Sequence, residues 1–354
     1  MIEIDGSFGE GGGQILRTAV GLSALTMKPI RITRIRAGRP QPGLKKQHLA
    51  GVELVGHLVN ADIHGLEVGS QEITFIPRER RGGRLSYDVG SAGSISLVLQ
   101  AVLPPAVVSQ ERVQLDLRGG TDVAWSPPVD YMRNVFSFVI AKMGPTIEIE
   151  QMQRGHYPKG GGRVRCSVSP VETLATLDAV DFGTVKQVHG VSHCVRLPSH
   201  IAKRQSASCE SLLKEKGLRE VQIREETYPV DRDPHLGPGS GIVLWADSDS
   251  GNRIGADSLG AREKSAEEVG KEAAMRLLNA LSTGRAVDPF LADMLVPYLG
   301  MAQGRSCIGV CEVTSHLLTN VWAAERIIGA SIRLEGALGE QGVLTVEGSA
   351  LRTH

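Results

Sequence analysis

The chain has 354 residues, 41% of them hydrophobic and 22% charged, and its 39 basic and 39 acidic side chains cancel to zero net charge. That length buries a full core and suits one large domain or two. The neutral balance excludes a general nucleic-acid coat or an anionic-membrane binder, which need a large basic excess, but it leaves room for a nucleic-acid end held in a local basic pocket.

Hydrophobic period predicts a recurring order of helix, strand, helix, strand, strand. In the first round Ile15, Leu16, Ala19, Val20 and Leu22 mark a helix near 13–26, followed by a strand at 30–35. A helix near 45–60, with Leu49, Val52, Val55 and Val59 on one face, leads to strands near 71–76 and 84–88. The second round has a helix over SISLVLQAVL (94–103), a strand VQLDL (113–117) and a helix over PVDYMRNVFSFVIAKMG ended by Gly144. Strands near 146–152 and 162–169 complete it, joined by HYPKGGG. The third round comes after an interruption: a helix near 288–302, a strand 308–313, a helix near 320–329, and strands near 331–335 and 342–347.

The interruption, 184–284, reads as an inserted domain, which leaves 1–183 and 285–354 as the repeat-built domain. Its last helix opens with Ser265 and Glu268 in capping-box spacing and buries Val269, Ala273, Leu277 and Leu281 before Gly284. No apolar run approaches the roughly 20 residues of a membrane span, and MIEIDGSFGEGGG lacks a signal pattern. Cys166, Cys194, Cys209, Cys307 and Cys311 form no Cys-x-x-Cys pair and read as reduced thiols of a cytoplasmic protein.

Four stretches carry chemistry. The glycines of DGSFGEGGGQILR, just ahead of a helix, let the backbone approach a ligand and leave amides free for an anion, although glycines alone equally describe a flexible loop. Glu10 inside the run would repel phosphate unless it holds a divalent cation, and Arg17 follows one turn into the helix. IRAGRPQPGLKKQH then gathers six potential cations, Arg34, Arg36, Arg39, Lys45, Lys46 and His48, around Pro40 and Pro42. Arginine forks match phosphate oxygens in pairs; a solvated surface run is the bland alternative. RGHYPKGGGR (154–163) reads equally as a plain hairpin or a functional loop. Last, His316 in EVTSHLLTN stands past a strand and ahead of a helix whose cap would be Thr319 or Asn320. Strand ends that face helix N-termini bind phosphates, and a neutral imidazole can attack phosphorus near neutral pH.

GEGGGQILR, IRAGRPQPGLKKQH, GSAGSISLVLQAVLP, GGTD, YPKGGG and SHLLTN, in this order and spacing, resemble the RNA 3′-terminal phosphate cyclase family over nearly the whole chain. The resemblance implies an α/β (α+β) fold of three βαβαββ-type units like the C-terminal domain of translation initiation factor three, with a smaller thioredoxin-like insert. It also implies an ATP-dependent ligase-type reaction that turns an RNA 3′-phosphate into a 2′,3′-cyclic phosphate through a covalent histidine–AMP and an activated RNA end.

Residue by residue, His316 matches the nucleophile and Glu10 a glutamate linked to Mg²⁺ or Mn²⁺. Arg17, Arg36, Arg39 and His48 match positions that hold phosphates of nucleotide or RNA, and Gln47 and Gln100 match polar contacts nearby. Pro127 and Phe290 match the pair that encloses adenine, Asp293 the acid near the ribose, and Met294 a position that is polar in some members. Ser315 stands where some members carry cysteine, and the insert around Ile254 lacks an aromatic found elsewhere. Partners implied are RNA 3′-phosphate ends and ATP, with no membrane and with a homodimer left open.

Two rivals come from other classes. Non-catalytic relatives serve in ribosome assembly but lack the histidine and much of the pocket. A related repeat architecture hosts enolpyruvyl transfer, which needs no histidine nucleophile beside a metal-binding glutamate.

Overall fold

The computed structural model describes residues 1–90 and 92–350; Ser91 of the GSAG motif and the last four residues of the 285–354 segment lie outside the described residues. Its elements build four four-stranded sheets. The first comprises β1 (Ile2–Asp5), β2 (Ile30–Thr33), β3 (Asp62–His64) and β4 (Ile73–Ile76), crossed by α1 (Gln14–Thr26) and α2 (Lys46–Leu58). Its order is β1-β2-β4-β3, with β1 parallel to β2 and β4 antiparallel to both neighbours.

The next sheet repeats that scheme. It is β5 (Gly83–Asp88), β6 (Val113–Gly119), β7 (Thr146–Gln153) and β8 (Gly162–Ser169) in the order β5-β6-β8-β7. Its crossing helices are α3 (Ile95–Ala106) and a composite of α4 (Val129–Tyr131), a π segment (Met132–Phe136) and α5 (Ser137–Ala141). A further sheet starts with β9 (Asp178–Ala179) and resumes with α8 (Pro289–Met301), β14 (Arg305–Val310), α9 (Ser315–Ile327), β15 (Ser331–Glu335) and β16 (Gly342–Glu347). Its order, β15-β16-β14-β9, is the same pairing read from the other edge.

Between β9 and α8 lies the remaining sheet, β11-β10-β12-β13, from β10 (Val185–Val195), β11 (Val221–Glu226), β12 (Gly239–Ser248) and β13 (Arg253–Leu259). Two helices, α6 (His200–Glu215) and α7 (Ala266–Ser282), pack on it and on each other. Strand period divides β12 between two cores. Ile242, Leu244 and Ala246 join the smaller cluster under α6 and α7, whereas Val243 and Trp245 face the main core. That main core is continuous from Ile4 to Val346, with α1 packed on α2, α3 and α9, and α8 on α9. Ser265 and Glu268 form the expected capping box at α7.

The structure corrects several boundaries. β1 and β3, four and three residues long, are too short to show a period of two and were not expected. β5, read as closing the first round, opens the second sheet by pairing in parallel with β6. The helix over 129–141 is broken by a π turn, which shifts the apolar stripe. α9 begins at Ser315 because the Thr314 hydroxyl accepts from the Leu317 amide at 3.0 Å, so Thr319 and Asn320 lie within the helix and His316 in its first turn. RGHYPKGGGR forms the β7–β8 connection.

Asp288 ties three parts together. As N-cap of α8 it accepts from the Leu291 amide (3.1 Å) and from the Tyr131 hydroxyl (2.6 Å), while its other oxygen accepts from the Gly255 amide (2.9 Å). Asp288→Ala removes a cap and leaves two buried donors unpaired. We expect a loss of about 2–4 kcal/mol in denaturant unfolding, with the Tyr131→Phe change costing less.

Candidate active site

Three helix ends assemble the site. α1 begins after the glycine run with no side chain capping its first amides and no acid in its first turn, so its positive end is open. The first turn of α9 brings Ser315 and His316 to the same place, and α8 supplies Asp293. Polar side chains lock the three: Gln14 Nε2 donates to the His316 carbonyl (2.9 Å) and to Asn320 Oδ1 (3.1 Å). Thr18 Oγ1 donates to the same Asn320 oxygen (2.7 Å), and Asn320 Nδ2 donates to the Asp293 carbonyl (2.7 Å).

His316 stands between two carboxylates. Its Nδ1 lies 3.4 Å from Asp293 Oδ2 and its Nε2 3.4 Å from Glu10 Oε2. The Asp293 contact, reinforced by Glu10, raises the histidine above its ordinary pKa of 6.5, against the opposing effect of burial. Burial in turn raises Asp293, whose Oδ1 also accepts from the Thr314 hydroxyl at 2.9 Å. Both Asp293 oxygens thus have a protein partner, and the residue also lines the cavity beside His316. Glu10 is held low first by the Ser315 hydroxyl, which donates to Oε1 at 2.6 Å, and then by His316 and by Arg39, 3.4 Å away.

Beside this pair opens a cavity lined by Arg17, Gln100, Pro127, Phe290, Asp293, Met294 and His316 among others. The Arg17 guanidinium is desolvated enough to fall to about 10, and its Nε has no hydrogen-bond partner. Arg17 is only partly accessible and has no carboxylate partner among the described residues; a desolvated cation of this kind is costly, and an incoming anion relieves that cost. Met132 and Phe136 of the π segment line the same space, so the local helix defect shapes the cavity wall.

His48 overturns one expectation. It is buried, and desolvation together with Arg17, Arg36 and Lys45 pushes it down to about 3, so it is neutral and only five of the six expected cations remain. Its Nδ1 accepts from the Lys45 amide at 3.0 Å, which puts the ring proton on Nε2. That N–H faces Gly13, where a Cβ would come within 2.3 Å of Nε2; glycine is required for this approach. His48 is thus a fixed donor beneath the glycine run and beside Arg17.

The remaining expected residues stand further out. Arg36 donates to the carbonyls of Gln41 (2.7 Å) and Gly43 (2.9 Å), bracing its own loop, and Arg34 pairs with Asp5. Gln47 Oε1 accepts from the Ser94 amide ahead of α3 at 3.4 Å. Neither Arg36 nor Gln47 lines the cavity. Sequence reasoning missed Gln14, Thr18, Asn320 and the exposed Trp125 at the rim. The first three had a signal: Gln14/Thr18 and His316/Asn320 are polar pairs four apart on otherwise apolar helix faces.

The arrangement can present an imidazole lone pair at Nε2, since a proton on Nδ1 is held by Asp293, next to cations and open amides suited to a polyphosphate. Glu10, half-exposed beside His316, fits a divalent ion that takes its other ligands from phosphate oxygens and water.

Linkage follows from these shifts. His316, raised in the fold, stabilises it below pH about 6.5, a contribution lost as pH rises through the folded value. His48 works oppositely, because protonation of the unfolded chain below pH about 6.5 destabilises the fold until the folded value near 3 is reached. Imidazole NMR should show His316 titrating above 6.5 and His48 silent from pH 5 to 8. Asp293→Asn should lower the His316 midpoint, and an unmoved midpoint would remove Asp293 as the cause.

Comparison with known proteins gives a consistent picture. A family model described as RNA 3′-terminal phosphate cyclase matches residues 8–334. The RNA 3′-terminal phosphate cyclase of Methanopyrus kandleri is 52% identical over 347 residues, 98% of either chain. That of Ignicoccus hospitalis is 51% identical over 349 residues, covering 98% of this chain and 99% of the relative. That of Pyrococcus furiosus is 48% identical over 346 residues, 98% of either chain.

Proposed function

The chain belongs to the RNA 3′-terminal phosphate cyclase family, and from that premise we propose that it converts RNA 3′-terminal phosphates to 2′,3′-cyclic phosphates at the expense of ATP, with His316 as the nucleophile. The observation that carries the proposal is the setting of His316: Nδ1 on Asp293, Nε2 toward Glu10, at the edge of a cavity lined by Pro127 and Phe290.

In the first step Nε2 attacks the α-phosphorus of ATP, a P–N bond forms, and pyrophosphate leaves as its bridging P–O bond breaks. Asp293 keeps the Nδ1 proton and stabilises the charge that develops on the ring, as a carboxylate does behind a catalytic imidazole. Arg17, Arg39 and the His48 Nε2–H stabilise phosphate oxygens, and the open amides of α1 add to that field. A divalent ion on Glu10 would supply further charge neutralisation to the polyphosphate.

In the second step an oxygen of the RNA 3′-phosphate attacks the same phosphorus, the P–N bond breaks, and the imidazole leaves. A phosphate dianion is a poor electrophile; the bound AMP gives it a leaving group. In the third step the 2′-hydroxyl attacks the 3′-phosphorus, loses its proton and displaces AMP. The hydroxyl is already on the same ribose, so closure gains an effective molarity that reaches about 10⁵ M in well-oriented cases.

Pro127 and Phe290 form the adenine slot in this reading, with Gln100 and Met294 beside it. Arg36 and Gln47, set back from the cavity, fit an RNA phosphate better than the nucleotide. We also take the three like-paired sheets as copies of one βαβαββ unit, related to the C-terminal domain of translation initiation factor three, over 1–183 and 285–354. The sheet with α6 and α7 then serves as a thioredoxin-like insert over 184–284. Among the described residues no helix is long and apolar enough to cross a membrane; cytoplasmic location, Mg²⁺ or Mn²⁺ as the metal, and a homodimer stay with the proposal.

Incubation with α-labelled ATP and Mg²⁺ or Mn²⁺, then denaturation, should leave label stable in alkali and lost in acid, as a phosphoramidate is. No label would favour the non-catalytic rival. His316→Ala should abolish the label with the fold intact, while adenylation that persists there would place the nucleophile elsewhere. Glu10→Ala should weaken the metal response. A short 3′-phosphorylated oligonucleotide should gain a cyclic end, which an enolpyruvyl-type transferase would not produce.

A further inference from the structure

Outside the lining of the His316 cavity, three buried side chains converge: Asp122, His156 and His193 each bring one ligand atom to within 4.8 Å of the others. They come from separate segments, Asp122 after β6, His156 in the β7–β8 connection, and His193 on β10. The His193 and His156 Nε2 atoms are 3.2 Å apart, and His193 Nε2 lies 3.7 Å from Asp122 Oδ1. A tetrahedral ion with nitrogen and oxygen ligands near 2.0–2.2 Å needs ligand-to-ligand edges of about 3.4 Å. The two observed edges lie on either side of that value.

The space is built for the rings. On β12 a Cβ at Gly239 would fall 2.0 Å from His156 Cγ, and one at Gly241 would fall 3.1 Å from His193 Cε1. Two glycines two apart, on one face of a strand, thus leave room for two imidazoles.

Charge points the same way. Buried Arg154 contacts Asp122 (3.3 Å), Asp130 (2.6 Å) and Glu226 (2.8 Å). One guanidinium is shared among three carboxylates, so the fully buried pair Asp122 and Asp130 is not matched charge for charge, while Glu226 is partly exposed and also accepts from the Tyr228 hydroxyl (3.1 Å). Arg224 reaches Glu226 at 3.4 Å from the solvent side, but it is 59% exposed and its effect is screened. Asp122 is oriented by the Thr121 hydroxyl, which donates to Oδ2 at 2.7 Å, and by Arg154, as a ligand carboxylate is by its outer partners.

We propose that Asp122, His156 and His193 form a structural site for a divalent ion of the zinc class that clamps the β10–β13 sheet to the second unit. Two imidazoles and one carboxylate select zinc or cobalt over magnesium. The site is separate from Glu10 and needs no nucleotide.

Metal content decides it, measured on the full chain carrying Glu10→Ala so that Glu10 contributes no ion. After stripping with a chelator, the protein should take up one equivalent of zinc and, with cobalt instead, show the intense visible absorption of a tetrahedral centre. Its melting temperature should fall on stripping and return with zinc. His156→Gln and His193→Gln, close in size, should each lose that equivalent, whereas His316→Ala keeps it. No uptake of zinc or cobalt, with an unchanged melting temperature, would overturn the proposal and leave the two imidazoles hydrogen-bonded to each other. Because that measurement is made with both rings in place, it stands even if a glutamine variant fails to fold. The readouts do not involve catalysis, so failure of the cyclase reading would show separately.

Discussion

The contact on which the site depends is the one between Asp293 and His316. A carboxylate behind one imidazole nitrogen decides which nitrogen keeps the proton and so which one offers a lone pair. Here that choice is set by tertiary structure: Asp293 sits on α8, His316 on α9, and Gln14 and Thr18 of α1 hold both through Asn320. The same contact has a cost. With Glu10 on its other side, His316 keeps its proton to higher pH than a free imidazole. Positive charge brought in near Glu10 works against that retention and frees the Nε2 lone pair.

The cations around the site differ in kind. Arg39 is half-exposed and its pairing with Glu10 is worth little in stability. Arg17 is the opposite, a guanidinium in a desolvated setting whose Nε has no partner among the described residues, which a core selected only for stability would not keep. His48, of the same basic motif, has been turned into a neutral donor by burial and its cationic neighbours. A neutral chain thereby concentrates its affinity for anions without a basic surface, in keeping with a partner recognised at its end rather than along its length.

Much of this was legible in the sequence. The long amphipathic helices declared themselves by period, and glycine, arginine and histidine at helix starts pointed to an anion site. What the sequence withheld was decided by contacts distant along the chain. β1 and β3 exist because β2 and β4 offer edges to pair with, and no window of three or four residues shows that. His48 looked like a cation because its neutrality comes from burial beside Arg17, and the contacts of Asp293 with Thr314 and His316 form only in three dimensions. The start of α9 was misplaced because Thr314 caps it in place of Thr319 or Asn320.

The two histidine centres show opposite uses of one rule, that a charge removed from water must be matched. Around His316 the mismatch is left open to the cavity: Arg17 lacks an anion and Glu10 faces outward. Around His193 the mismatch is sealed inside, where Arg154 faces the two buried carboxylates of Asp122 and Asp130 and solvent reaches only Glu226. An open mismatch is relieved by a ligand that comes and goes, which is the requirement of turnover. A sealed one calls for a partner acquired once, as the chain folds, and it lies where β10 must be fastened to the second unit. That difference in access, rather than any difference in residue type, separates a centre for chemistry from a centre for architecture.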